Sequence, residues 1–109
     1  ADGRGFAVSG GVAQAVVNVI KKEDPTREVK VVSAQGLAEC KKMMQLAAAG
    51  KYNGYLLEGM ACPGGCIAGA GTLADPARSA MMLNKYKAQA TMKTAADTPY
   101  KDTLDKLKY

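Results

Sequence analysis

The sequence predicts an α/β fold: a small parallel sheet flanked by helices, in the order β-α-β-α-β, followed by C-terminal helices. Two observations predict it. Short apolar runs alternate with stretches whose apolar residues repeat at three- and four-residue spacing. Gly, Pro and Asn mark the changes between them. Such alternation implies right-handed crossovers, at least three parallel strands and helices on both sheet faces. In sheets of this kind ligands sit at the carboxyl ends of the strands.

The elements follow in order. Gly5 to Val8 is a short apolar run ending at Ser9-Gly10-Gly11, which predicts a first strand and a turn. Val12, Val16, Val19 and Ile20 then repeat at helical spacing, and Lys21-Lys22 closes the helix. Asp24-Pro25-Thr26 is a turn, because proline fixes φ and lacks an N–H. Val29 to Val32 is rich in β-branched residues and predicts the second strand. Gly36 opens a second helix with Leu37, Cys40, Met44, Ala47 and Ala48 on one face, and Gly50 stops it. Asn53-Gly54 turns the chain into a third strand, Tyr55 to Glu58. Asp75-Pro76 is a helix start, an N-cap followed by a first-turn proline, and good helix formers continue to about Thr94. Thr98-Pro99 breaks the chain, and Lys101 to Tyr109 predicts a short terminal helix. No internal repeat or low-complexity linker occurs.

At 109 residues the chain predicts one domain, and its 48% hydrophobic and 23% charged residues are a globular balance. The absence of histidine removes the usual general base and the commonest zinc ligand. Three cysteines, an odd count, argue against a secreted disulfide framework and predict a reducing, cytoplasmic setting. No apolar run approaches the roughly 20 residues that span a bilayer. The chain opens at Ala1-Asp2-Gly3 without an initiator methionine, which predicts an excised fragment or a processed subunit. The net charge is +5. Lys85, Lys87, Lys93, Lys101, Lys106 and Lys108 are interspersed with Asp97, Asp102 and Asp105, with no aromatic platform. That pattern predicts a solvated helix face and no nucleic-acid partner.

The chemistry gathers in Glu58-Gly59-Met60-Ala61-Cys62-Pro63-Gly64-Gly65-Cys66-Ile67-Ala68-Gly69-Ala70-Gly71. This loop hangs off the third predicted strand. Glycine allows positive φ and close backbone approach to a bulky inorganic ligand, and Gly64 and Gly65 are candidate cofactor-binding residues. Thiolates suit iron–sulfur clusters, zinc and Cu(I). The spacing of Cys62 and Cys66 is also compatible with a local disulfide or with two inert core residues, and it is not the C-x-x-C of zinc ribbons or thioredoxin-like sites. No Gly-Lys-Ser/Thr follows, so the loop is not a P-loop. Gly10-Gly11, at the other predicted strand end, offers N–H donors suited to an anion. Glu58 is either hydrogen-bonded to loop N–H groups or a strand-end charge. Cys40 and the Met43-Met44 and Met81-Met82 pairs read as core fillers.

The stretch from Glu58 to Gly71 resembles the third cysteine motif of the iron-only (diiron) hydrogenases, E-x-M-A-C-P-x-G-C-x-x-G-G-G. Glu58, Met60, Ala61, Cys62, Pro63, Gly65, Cys66, Gly69 and Gly71 match it in register. Ala70 replaces the middle glycine, and Thr72-Leu73 stands where x-P often follows. Gly10-Gly11-Val12 is similar to a Gly-Gly-Val turn of the family. The resemblance implies that Cys62 ligates a 4Fe–4S cubane. It implies that Cys66 ligates the same cubane and bridges to a diiron subsite, with Met60 near that subsite. It further implies reversible hydrogen oxidation and proton reduction in the parent enzyme of an anaerobic bacterium.

A cubane takes four protein thiolates. The family draws the other two from T-S-C-C-P and M-P-C motifs, and neither occurs here. The resemblance therefore implies a C-terminal lobe whose partner is the N-terminal lobe of the same parent. The fragment alone is expected to be inactive and without cofactor, its cysteine loop metal-free, mobile or closed as a disulfide. An acidic, ferredoxin-like electron carrier suits its charge. Two alternatives stand beside this: a hydrogenase-like iron–sulfur assembly or sensory protein without hydrogen turnover, and a structural α/β domain with unligated cysteines.

Overall fold

The computed structural model describes residues 1–107. Its elements are α1 (Gly11–Glu23), β1 (Lys30–Gln35), α2 (Leu37–Ala48), β2 (Tyr55–Met60), α3 (Pro76–Ala88) and α4 (Lys101–Asp105), with 3-10 turns at Gly3–Gly5, Cys66–Ala68 and Ala95–Asp97. The fold is α/β, with a parallel sheet flanked by helices. Among the described residues that sheet has two strands, β1 and β2, paired in register from Lys30↔Tyr55 to Gln35↔Met60. Lys108 and Tyr109, the end of the expected terminal helix, lie outside the described residues.

Glu58 sends its carboxylate to the start of α1. The next residue, Gly59, faces Cys40 and Met43 of α2. Successive strand residues point to opposite faces, so α1 and α2 cover opposite sides of the sheet. Small residues bring α2 close: Ala34 and Gly59 are register partners beneath it, and a Cβ on Gly59 would lie 3.2 Å from the Cys40 sulfur. The core is thin. Its buried apolar members are Ala13, Ala15, Val17, Ala34, Met43 and Ala90.

The expected first strand, Gly5 to Val8, does not form. That segment coils through successive turns, Val8 N–H to Gly5 O at 3.2 Å and Gly11 N–H to Val8 O at 3.0 Å. Its remaining backbone groups bind the cysteine loop: Ile67 N–H donates to Ala7 O, and Ser9 N–H to Gly64 O, both at 3.2 Å. A strand ladder would need those same groups.

The inward face of α2 also differs from the expected one. Met43 is buried, whereas Leu37 and Met44 are exposed. Adjacent methionines make two faces equally apolar in sequence, and packing on Ala34 and Gly59 selects the face of Cys40 and Met43. Met81 and Met82 are likewise exposed and fill no core.

Other signals translate directly. Gly50 ends α2 at φ +87°, with Gly50 N–H to Ala47 O at 3.0 Å and Lys51 N–H to Leu46 O at 3.1 Å. Asp75 caps α3 by accepting the Arg78 N–H at 2.9 Å. That helix ends at Ala88, short of Thr94.

Candidate functional site

β2 ends at Met60, and the glycine-rich loop begins one residue later. Its two cysteines bracket a tight turn, with Gly65 N–H donating to Cys62 O at 3.0 Å. A single 3-10 turn follows over Cys66–Ala68. Cys62 is half-buried, Cys66 is exposed, and both thiols are free. Gly64 and Gly65 are consecutive residues at φ +87° and +90°. Only glycine takes such a pair without steric cost.

The loop is held by backbone from two sides. A Cβ on Gly65 would lie 2.5 Å from Ala7 O and 2.6 Å from Ser9 N, so the loop backs directly onto residues 7–9. Gly64 is bonded on both flanks. Its carbonyl accepts the Ser9 N–H at 3.2 Å. Its N–H donates to the Gln35 side-chain oxygen at 2.7 Å. Cys62 Sγ lies against Gly69, where a Cβ would come within 3.4 Å of it.

Glu58 is the anchor beneath. It is 7% exposed, and its carboxylate accepts Gly10 N–H at 2.8 Å and Ala13 N–H at 3.0 Å. A carboxylate at a helix N-terminus satisfies orphan donors and suits the helix dipole. Glu58 is therefore hydrogen-bonded and more than a strand-end charge, but its partners are the N–H groups of Gly10 and Ala13 at the start of α1 and not those of the cysteine loop. The N–H groups of the Gly10-Gly11 turn are engaged within the chain, Gly10 by Glu58 and Gly11 by Val8 O. The anion that this helix start serves is thus Glu58 itself. Gly11 has no room for a side chain, since a Cβ would sit 1.9 Å from Gly5 O.

Met60 is half-buried at the mouth of the loop. Its carbonyl accepts Gly36 N–H at 2.8 Å and the Cys40 thiol at 3.6 Å. Cys40 also reaches Ala34 O at 3.7 Å, so its thiol is spent between α2 and the strand ends. The structure thus brings Gly10, Gly11, Gly64 and Gly65 into one cluster around residues 7–9. Met60 and Cys40 meet on the α2 side. The Ser9-Gly10-Gly11 turn was expected to face the loop, whereas Gln35 and the backbone of Ala7 are parts of the site that sequence reading missed. The one signal for Gln35 was a polar side chain at the end of an apolar strand.

The donor set decides what the loop can hold. Cys62 and Cys66 are soft donors beside bare backbone, which fits an iron–sulfur cluster. The Ser9 hydroxyl, on the segment that backs the loop, is buried with no hydrogen-bond partner among the described residues, a polar group whose burial is costly until something bonds it. Among the described residues no group of three or more His, Cys, Asp and Glu side chains gathers to hold a metal ion. The loop therefore offers two thiol donors, Cys62 and Cys66, where a cubane takes four. Among the described residues no helix is long and apolar enough to cross a membrane.

Comparison with known proteins agrees with the motif. The family described as the C-terminal domain of the iron only hydrogenase large subunit matches residues 1–70. Searches of curated proteins and of solved structures found no match. The match takes in the Gly10-Gly11 turn, Glu58 and both loop cysteines, and by it the chain belongs to the C-terminal domain family of the iron-only hydrogenase large chain.

Proposed function

We propose that this chain is the C-terminal lobe of an iron-only hydrogenase catalytic domain and supplies two of the four cysteine ligands of its active-site cluster. Cys62 would hold the 4Fe–4S cubane, and Cys66 would hold the cubane and bridge to the diiron subsite. When bound, that group supplies electron transfer and the reversible interconversion of protons and hydrogen. The chain's own residues present the thiolates. Glu58 ties the end of β2 to α1, and Gly64 and Gly65 keep side chains out of the turn between the cysteines. The Met60 thioether adds a soft, apolar group at the loop mouth. The complementary lobe brings the remaining thiolates. The net charge of +5 suits an acidic electron carrier in the cytoplasm.

One observation carries this reading: the Cys62–Cys66 turn is bonded to the backbone of residues 7–9, so both thiols sit on a fixed glycine frame at the strand end. The test pairs the chain, under anaerobic conditions, with a lobe bearing the T-S-C-C-P and M-P-C motifs and a matured diiron precursor. Iron, sulfide, infrared bands and hydrogen evolution are then measured. The pair should hold a cubane that neither Cys62→Ser nor Cys66→Ser retains intact, because an alkoxide is a poor replacement for a thiolate. Cys66→Ser should also abolish the diiron bands. A cubane without hydrogen evolution would point to an assembly or sensory relative. A cubane indifferent to both substitutions would end the ligand assignment.

A further inference from the structure

We infer that Gln35 is a positioning residue for the cysteine turn, holding the peptide group between Pro63 and Gly64 through its side-chain oxygen. That oxygen accepts the Gly64 N–H at 2.7 Å. Gly64 stands between the two cysteines at φ +87°. Without a side chain, glycine samples φ of either sign, so the turn needs a constraint from outside. Two exist, one on each flank. Ser9 N–H holds the Gly64 carbonyl at 3.2 Å, and Gln35 holds its N–H.

Gln35 is itself well placed to act as a fixed arm. It is the last residue of β1 and the register partner of Met60, the last residue of β2. Its own N–H donates to the Glu39 carboxylate at 3.1 Å. The following N–H, that of Gly36, donates to Met60 O at 2.8 Å. The backbone of Gln35 is therefore locked beside the strand that leads into the loop, while its side chain reaches the middle of the loop. The two strands end together, and Gln35 bridges from one end to the turn that the other launches.

The bond has a second consequence, which rests on the ligand role proposed above. An N–H committed to Gln35 is not free to donate to a thiolate. Hydrogen bonds to sulfur help set cluster reduction potentials. Gln35 thereby limits the number of backbone donors that Cys62 and Cys66 meet.

The test uses the metal-free full chain under reducing conditions, as wild type, Gln35→Leu and Gln35→Glu. Gln35→Leu should speed exchange of the Gly64 amide proton by about tenfold, the scale of one lost hydrogen bond. It should also raise the rate of Cys62 alkylation by iodoacetamide toward that of exposed Cys66. Gln35→Glu keeps an acceptor and should restore both. It should also make the Gly64 amide shift follow the titration of the new carboxylate, a signature that general support of the fold would not give. Gln35 is exposed, so both variants should fold with nearly unchanged Tm. Unchanged Gly64 exchange in Gln35→Leu overturns the inference, as does a Gly64 shift in Gln35→Glu that ignores pH. Neither readout involves iron. Failure of cluster assembly would therefore remove the ligand reading and leave the clamp standing, and the reverse outcome is equally distinguishable.

Discussion

Residues 1–70 and residues 71–107 are held together by different means. In the first region, hydrogen bonds across long sequence distances and close approaches at side-chain-free glycines hold the backbone. Glu58 joins β2 to α1, Ser9 and Gln35 grip Gly64, and Gly65 touches Ala7 and Ser9. In the second, α3 and α4 contain no buried residue, and Leu73, Met81, Met82, Tyr86, Tyr100, Leu104 and Leu107 are exposed. A cavity of about 540 Å³ opens between Ile67 and the Met82–Tyr86 side of α3. The family match also ends at residue 70. The contrast teaches that the cysteine loop draws its rigidity from the N-terminal turn and the sheet, and little from the helices that follow it.

The strongest way to break that contrast is a methyl group at Gly65. Gly65→Ala places a Cβ within 3 Å of three backbone atoms at a φ that L-residues avoid. It should cost about 4 kcal/mol in urea unfolding, since backbone strain and overpacking add. Gly71→Ala is the control from the other region. Its φ is +86°, yet nothing lies within 4 Å of the added Cβ, so only the left-handed penalty of about 1 kcal/mol remains. Equal losses at the two sites would mean that close packing behind the cysteine turn is not what holds it.

Glu58 should come second. Glu58→Ala leaves the Gly10 and Ala13 N–H groups without their charged acceptor and should cost about 3 kcal/mol. Glu58→Gln keeps one acceptor and should cost about 1 kcal/mol. Both are read by urea unfolding. A neutral Glu58→Ala would reduce the anchor to a surface charge. In the other region Leu73→Ser should change stability by less than about 0.5 kcal/mol, as expected for a side chain that touches nothing.

How much of this was legible in the sequence follows the same division. The loop was legible because a long motif carries its own glycines and cysteines in register. The α/β class was legible from alternating periodicity, and α1 from Val12, Val16, Val19 and Ile20. The failure at Gly5 to Val8 has a physical cause. Four apolar residues are too few to distinguish a strand from a coiled segment, and the choice was made by hydrogen bonds to residues some sixty positions away. Gln35 was hidden for a similar reason. β1 extends past Val32 through Ser33 to Gln35, polar residues that break the apolar pattern, and the Gln35 partner is 29 residues downstream. The face of α2 was ambiguous because Met43 and Met44 serve equally until Ala34 and Gly59 choose between them.

The smallest expected effect concerns one of the links between the two regions. Lys22, at the end of α1, pairs with Asp97 in the C-terminal region, 75 residues away. The Lys22 ammonium is the chief cause holding the Asp97 carboxyl far below its usual 3.8, helped by the Thr94 N–H and hydroxyl. Asp24 is also lowered, first by the Thr26 hydroxyl, but that partner is two residues away, so the turn can persist in the unfolded chain. Asp97 loses Lys22 on unfolding. Its carboxyl then returns toward 3.8, so the unfolded chain binds more protons over the acidic range. The stabilisation from Asp97 is therefore complete above about pH 4–5 and falls as the pH drops through and below the unfolded value. Lys22→Met should flatten that acid limb of a Tm-versus-pH curve and leave the neutral limb nearly unchanged, because exposed pairs contribute little. Added salt should mimic the substitution, since exposed pairs are screened. If Lys22→Met leaves the acid limb as steep as in wild type, the carboxylate that governs it lies elsewhere. The C-terminal region would then depend more on its bonds to the N-terminal turn, Asp2 N–H to Lys93 O at 3.3 Å and the Arg4 guanidinium to Tyr86 O at 2.7 Å.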